Sequence, residues 1–209
     1  MNNIIGLDKF YVWRESDSES LPDVSFVPSM TRRRMTDIEK IAVGIAHLVV
    51  PENSDYQMVF ASRYGEWRQT IKLIQQFHDE GEMSPAGFSN SVHNAAAGAF
   101  SVMMKNKNSY ISVAAGARTL ESGILAALTT KKPVLFVFVE ERSPDMYIPF
   151  LDAPVHAHGL AFMLSSDGKR KIQWEPQSKE SSPLTFEALE RFLCGDKKIE
   201  SSCWKMEEK

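Results

Sequence analysis

Residues 84–141 read SPAGFSNSVHNAAAGAFSVMMKNKNSYISVAAGARTLESGILAALTTKKPVLFVFVEE. The order within this stretch is a polar loop, a small-residue helix, a strand, a tight small-residue turn, a second helix and a wholly apolar strand. The turn after Ile111–Val113 carries a side chain from a strand end into a helix N-terminus. Such an elbow favours a thiolate or alkoxide, because the first helical N–H groups and the helix dipole stabilise negative charge. Here the turn offers Ala115, Gly116 and Ala117, and none of them can be a nucleophile. The layout of a reactive site is present without its reactive atom.

Working outward, the flanking segments read as an alternating series. Ile4 to Val12 reads as an opening strand. Thr36-Asp37-Ile38-Glu39 is a capping box, and Ile38, Ile41, Ala42, Ile45, Leu48 and Val49 follow at helical spacing until Pro51. Gln57–Ala61 reads as a short strand. Trp67, Ile71, Ile74 and Phe77 recur every three to four residues up to Gly81, predicting a second amphipathic helix. Ser89 or Ser91 is the expected cap of a third, running to about Met104. A fourth covers Thr119–Thr129. The run Pro133–Val139 shows no alternation, as expected of a strand covered on both faces. Leu160–Leu164 and Lys171–Trp174, joined through Ser166-Asp167-Gly168, read as a hairpin. Thr185–Leu193 reads as a last helix closed by Gly195, and the polar tail to Lys209 as mobile. Strands alternating with helices place the chain in the α/β class.

Composition excludes several function classes. A chain of 209 residues with 43% apolar and 24% charged residues has the profile of a globular protein with a sizeable core. A formal net charge of -3 supplies no general drive toward nucleic acid or anionic membrane. No apolar run reaches the roughly 20 residues of a membrane span, and MNNIIGLDKF has no signal-peptide pattern. The two cysteines, Cys194 and Cys203, fit reduced thiols of a cytoplasmic protein better than a disulfide.

The motifs Ser84-Pro85, Phe88-Ser89-Asn90-Ser91-Val92-His93-Asn94 and Ile111-Ser112-Val113 resemble the N-terminal half of β-ketoacyl synthases, enzymes of the thiolase fold. Weaker matches are Ala61-Ser62 with Tyr64-Gly65-Glu66 and the Arg32–Arg34 run. The closest likeness is to short ketosynthase-like chain length factors, as in aryl polyene clusters, and it covers roughly residues 1–165. The resemblance implies a thiolase-like half, with residues 166–209 as a short hairpin, helix and polar tail replacing the second half of the family fold. It places Ala117 where the family's acyl-accepting Cys stands, and no Cys lies between Met1 and Leu193. The two catalytic histidines of the missing half have no counterpart either.

The resemblance further implies a catalytically silent subunit that pairs with an intact β-ketoacyl synthase and meets acyl carrier protein through that complex. The strand and turn Tyr110, Ile111, Ser112, Val113, Ala114 and Ala115 would form the interface, since thiolase-fold dimers pair this strand antiparallel with its mate. Trp67, Thr70, Ile71, Ile74 and Phe88 are the expected tunnel-lining residues. No cofactor and no metal is called for. The alternative is a malonyl-carrier-protein decarboxylase of the Cys-less ketosynthase type.

Other candidates are weaker. Ser91 and His93 lie two residues apart, so on a helix they point to different faces, and no G-x-S-x-G pattern accompanies them. Capping for Ser91, and backbone hydrogen bonding for His93 and Asn94, are the expected roles. His156 and His158 on an extended segment would share a side, but only Asp152 and Asp167 stand nearby as further metal ligands. Arg32-Arg33-Arg34 is either a solvated turn or a contact for an acidic carrier protein.

Overall fold

The strands are β1 (Ile4–Arg14), β2 (Gln57–Ala61), β3 (Tyr110–Val113), β4 (Val134–Glu140), β5 (His158–Ser165), β6 (Arg170–Trp174), β7 (Lys198–Ser201) and β8 (Trp204–Glu208). They form one sheet in the order β3-β2-β4-β5-β1-β6-β8-β7. This is a computed structural model that describes residues 4–18, 20–52, 54–130, 133–166, 168–174, 182–201 and 203–208. β3, β2 and β4 run parallel, and every pairing from β4 to β7 is antiparallel.

The helices are α1 (Ser29–Arg32), α2 (Asp37–Val49), α3 (Trp67–Glu80), α4 (Pro85–Ser89), α5 (Ala95–Met103), α6 (Thr119–Leu128) and α7 (Phe186–Cys194). The central strands are buried on both faces. Met58, Phe60, Leu135 and Val137 pack with α2 and α5, whereas Val59, Ala61, Phe136 and Phe138 pack with α6 and α7. That two-sided burial accounts for the unbroken apolar run of β4, whose seven residues are all buried. The fold is thus the expected α/β, thiolase-like half.

Local signals hold closely where they are strong. The capping box forms at α2: Thr36 Oγ1 accepts from Glu39 N–H at 3.2 Å, and Thr36 N–H donates to Glu39 Oε2 at 2.8 Å. β2 spans the residues its pattern gives, and Gly81 follows α3 in the left-handed conformation. α7 is capped by Thr185, whose hydroxyl accepts from Ala188 N–H at 3.2 Å.

Three expectations are corrected. The expected third helix is two: α4, capped by Ser84, and α5. Ser89 and Ser91 cap neither start, because their hydroxyls donate back to the carbonyls of Pro85 and Phe88. The expected hairpin of Leu160–Leu164 with Lys171–Trp174 does not form, because β1 lies between β5 and β6 and pairs with both. Asp167 of its turn lies outside the described residues. The crossing chain passes so close to β1 that a Cβ on Gly6 would sit 2.3 Å from the Gly168 backbone, so both positions need glycine. The tail to Lys209 is also not a mobile appendage where it is described. It contains β7 and β8, with Trp204 and Met206 buried in the core.

Candidate functional site at the strand ends and the open sheet edge

The parallel strands β2, β3 and β4 end on the same side, where open α/β sheets place their functional groups. β3 runs out at Val113 into Ala114 and Ala115, then a single 3-10 turn over Gly116–Arg118 leads into α6. Gly116 takes φ 58°, a left-handed conformation that makes the bend. Ala115 N–H donates to Thr119 Oγ1 at 2.9 Å, and that hydroxyl donates to the Gly116 carbonyl at 2.8 Å. Ala117 is exposed on this turn. The elbow geometry exists, and methyl groups occupy it.

His93 fastens this corner from the loop before α5. Its Nε2 lies 2.8 Å from the Ser62 carbonyl, which can only accept, so Nε2 carries the proton. Nδ1 lies 2.9 Å from the Ser112 hydroxyl. The ring also meets Phe60 edge-on at 5.7 Å. His93 therefore ties the end of β2 to β3, and Asn94 Nδ2 donates to the Tyr110 hydroxyl at 3.2 Å. Ser91 stands apart from this cluster, bonded to Phe88, so no Ser91–His93 pair exists. Ser62 is fully buried, donating to Glu140 Oε2 at 3.2 Å and accepting from Gly65 N–H at 2.8 Å.

Four buried carboxyls, Glu39, Glu66, Glu140 and Glu141, gather around the β2–α3 turn, and their convergence was not foreseen from sequence. Glu140, at the end of β4, accepts from Arg63 N–H. Burial pushes its carboxyl up to about 7. Glu141 accepts from Arg68 N–H at 2.9 Å and is likewise pushed up to about 7 by burial. Burial raises Glu39 as well. Glu66, only 4% exposed, is driven to about 9 by burial and then by the neighbouring charge of Glu39. The one local signal was the acidic pair Glu140-Glu141 closing an apolar strand.

β3 is the outermost strand on this side, and its interface candidates are open. Tyr110 and Ile111 are exposed, Ser112 and Val113 half-buried, and Ala114 and Ala115 exposed. An apolar groove of about 610 Å³ continues from Tyr110 along Ala95, Gly98, Ala99 and Val102 of α5 to Phe26 and Pro28. Of the tunnel candidates, Trp67, Thr70, Ile71 and Ile74 share one flank of α3, and Phe88 sits on the adjoining α4. Trp67 stacks on Tyr64 at 4.2 Å and approaches Tyr147 at 5.9 Å. Ile74 and Phe88 are 60% and 58% exposed and Thr70 is exposed, whereas Trp67 and Ile71 are half-buried.

A further exposed apolar segment was also missed: Met146, Tyr147, Ile148 and Phe150 on a 3-10 stretch, with Phe150 at 82%. Its sequence signal was an apolar MYIPF run inside a proline-containing loop.

The remaining candidates resolve simply. Arg33 and Arg34 are exposed and line an open groove of about 690 Å³ with Arg68, Lys72 and Ile71. His158 Nδ1 lies 2.7 Å from the His156 carbonyl, its ring meets Phe186 edge-on at 4.4 Å, and burial lowers its pKa. Among the described residues no group of three or more His, Cys, Asp or Glu could hold a metal ion. Cys194 and Cys203 are thiols, not a disulfide. No helix among the described residues is long and apolar enough to cross a membrane.

The family model for the beta-ketoacyl synthase N-terminal domain matches residues 11–193, and the chain belongs to that family. A search of curated proteins finds no match. Among solved structures, the chain is similar to one in the complex of a ketosynthase (ApeO) with its chain length factor (ApeC) from Xenorhabdus doucetiae. The TM-score is 0.81 and the identity 22%, covering 98% of this chain and 99% of that one. It is also similar to a beta-ketoacyl synthase from Burkholderia phymatum STM815, with TM-score 0.56 and 15% identity, over 77% of this chain and 55% of that one.

Proposed function

We propose that this chain is a non-catalytic chain length factor subunit, which pairs with an active β-ketoacyl-acyl carrier protein synthase and forms part of its acyl tunnel in aryl polyene-type biosynthesis. The observation that carries the reading is the pairing of an open β3 edge with an elbow that holds no nucleophile. An exposed apolar edge strand is an aggregation liability unless another chain covers it. Tyr110 and Ile111 are 36% and 42% exposed there, and Val102 on the adjoining helix is 79% exposed. The likeness in fold and length to a chain of a ketosynthase–chain length factor complex supports the same assignment.

In this reading β3, from Tyr110 to Ala115, continues the sheet into the partner. The apolar α5 groove takes part in the same contact. Ala117 stands where the acyl-accepting Cys would be, so acyl transfer resides in the partner. Trp67, Thr70, Ile71, Ile74 and Phe88 form a wall that is completed only across the interface. Acyl carrier protein is met through the complex. Product length follows from where bulky side chains close the tunnel, since fitting atoms beyond a packed end costs about 1–3 kcal/mol or more.

Co-expression with a β-ketoacyl synthase of the same gene cluster, followed by size-exclusion chromatography with light scattering, tests the pairing. A one-to-one complex is expected. A homodimer or monomer that ignores the synthase, and that releases carbon dioxide from malonyl carrier protein by itself, would instead establish the decarboxylase alternative.

A further inference from the structure

We infer that His93 is the positioning residue of the open edge: its ring, in contact at both nitrogens and seated against Gly65, fixes where β3 lies. The inference goes beyond the proposed pairing, concerns this chain alone and stands whether or not a partner covers the edge.

β3 has little of its own to hold it. None of its four side chains is buried, whereas β2 buries Met58 to Ala61 and β4 buries all seven of its residues. Val113 alone of the four packs against the core, half-buried. A strand that removes so little apolar area from water gains little from burial. Polar contacts therefore decide its position. Besides the backbone pairing with β2, side-chain bonds reach it from Gln57, Asn94 and His93. Gln57 Nε2 donates to Ser109 Oγ at 2.7 Å, just before the strand, and Asn94 Nδ2 donates to the Tyr110 hydroxyl. Both lie at the exposed surface, where water competes for the same groups. The contact of His93 Nδ1 with Ser112 Oγ at 2.9 Å is partly buried.

The far end of the His93 tie is firmer still. Nε2 donates to the Ser62 carbonyl at 2.8 Å, and Ser62 is fully buried. The Ser62 hydroxyl donates to Glu140 Oε2 and accepts from Gly65 N–H, and the Ser62 N–H donates to the Val113 carbonyl at 3.2 Å. One run of contacts thus crosses from the end of β4, through the end of β2, to β3. Gly65 makes room for the ring. It takes φ 56°, and a Cβ there would stand 2.8 Å from His93 Cδ2. An alanine in place of His93 reaches neither Ser62 nor Ser112.

Relaxation-dispersion NMR on the full chain reads the position of β3 directly, because it detects a minor conformer at about the one per cent level. His93→Ala is expected to raise the population of displaced β3 by about 10- to 100-fold. Dispersion should then appear at residues 110–115 and at the Ser62 amide, while β4 and β5 stay quiet, their openings being far rarer. Ser112→Ala removes one contact and should give the same pattern with a rise of about 3- to 10-fold. In the His93→Ala background Ser112→Ala should add nothing, as required of two residues that act as one tie. His93→Gln keeps an N–H for the Ser62 carbonyl and should recover part of the wild-type quiet. A generally weakened fold would instead spread dispersion over β4 and β5. That result overturns the inference, as does an undisturbed β3 in His93→Ala. Should His93→Ala not fold, Ser112→Ala decides alone, and a quiet β3 there overturns the positioning role.

Discussion

The two edges of the sheet are handled in opposite ways. At one end β3 is four residues long, parallel to its single neighbour, with Tyr110 and Ile111 exposed and an apolar groove alongside. At the other, β8 and β7 form a hairpin that buries Trp204 and Met206 inward and presents Lys198, Lys205, Glu207 and Glu208 along its length. Charged, short edge hairpins resist addition of further strands, whereas a bare apolar strand invites it. The chain covers one edge with a charged hairpin of its own and leaves an apolar strand open at the other. Residue placement alone can thus make the two edges of one sheet unlike.

Breaking the closed end has the largest expected effect. Trp204→Ala empties a core position and should lower stability by about 3–5 kcal/mol, read by denaturant unfolding. The same class of change at the open end should act on assembly and not on folding. Ile111→Lys is expected to leave unfolding within about 0.5 kcal/mol of wild type. It should weaken binding to the synthase by about 2–4 kcal/mol, measured by titration calorimetry. Equal losses of folding and binding at Ile111 would erase the distinction between the two edges.

A pH series sharpens the contrast in another way, since Glu140 and Glu141 close β4, two strands from the open edge. Glu140 and Glu141 are raised to about 7, so their stabilising contribution is full below 4.5 and is lost as pH rises through about 7. Glu141→Gln should flatten the decline in Tm between pH 5 and 7, and Trp204→Ala should leave its shape unchanged. A modest effect is expected at Tyr110. Tyr110→Phe removes the bond from Asn94 on an exposed strand and should cost about 0.5–1.5 kcal/mol at most, visible by the same unfolding assay.

What the sequence made legible was local. The capping box at Thr36, the strand Gln57–Ala61 and the twice-covered strand β4 each carry their cause within a few residues, and each appears where its pattern placed it. The insertion of β1 between β5 and β6 was not legible, because no turn chemistry at Ser166 or Gly168 encodes a strand from the far end of the chain. β8 was hidden because its alternation rests on two apolar residues, Trp204 and Met206, within a charged segment. At the elbow, the run Ala115-Gly116-Ala117 between a strand and a helix was readable directly from the sequence. The convergence of Glu39, Glu66, Glu140 and Glu141 was not, since it arises only when three distant turns fold onto one another. Exposure of the α3 flank was likewise invisible: Ile74 and Phe77 have the spacing of core residues, and only the packing shows that they face outward.

The crossing at Gly6 and Gly168 carries a consequence for how the chain is made. β1 leaves the ribosome early, yet its partners lie in β5 and β6, with Leu7 opposite Leu164 on one side and Arg170 on the other. The middle of the sheet therefore waits for nearly the whole chain, and until then an apolar strand has no seat. Contacts of such long sequence separation form slowly. Until β5 and β6 follow, the two glycines that let the chain cross have nothing to cross, and β1 stays without neighbours.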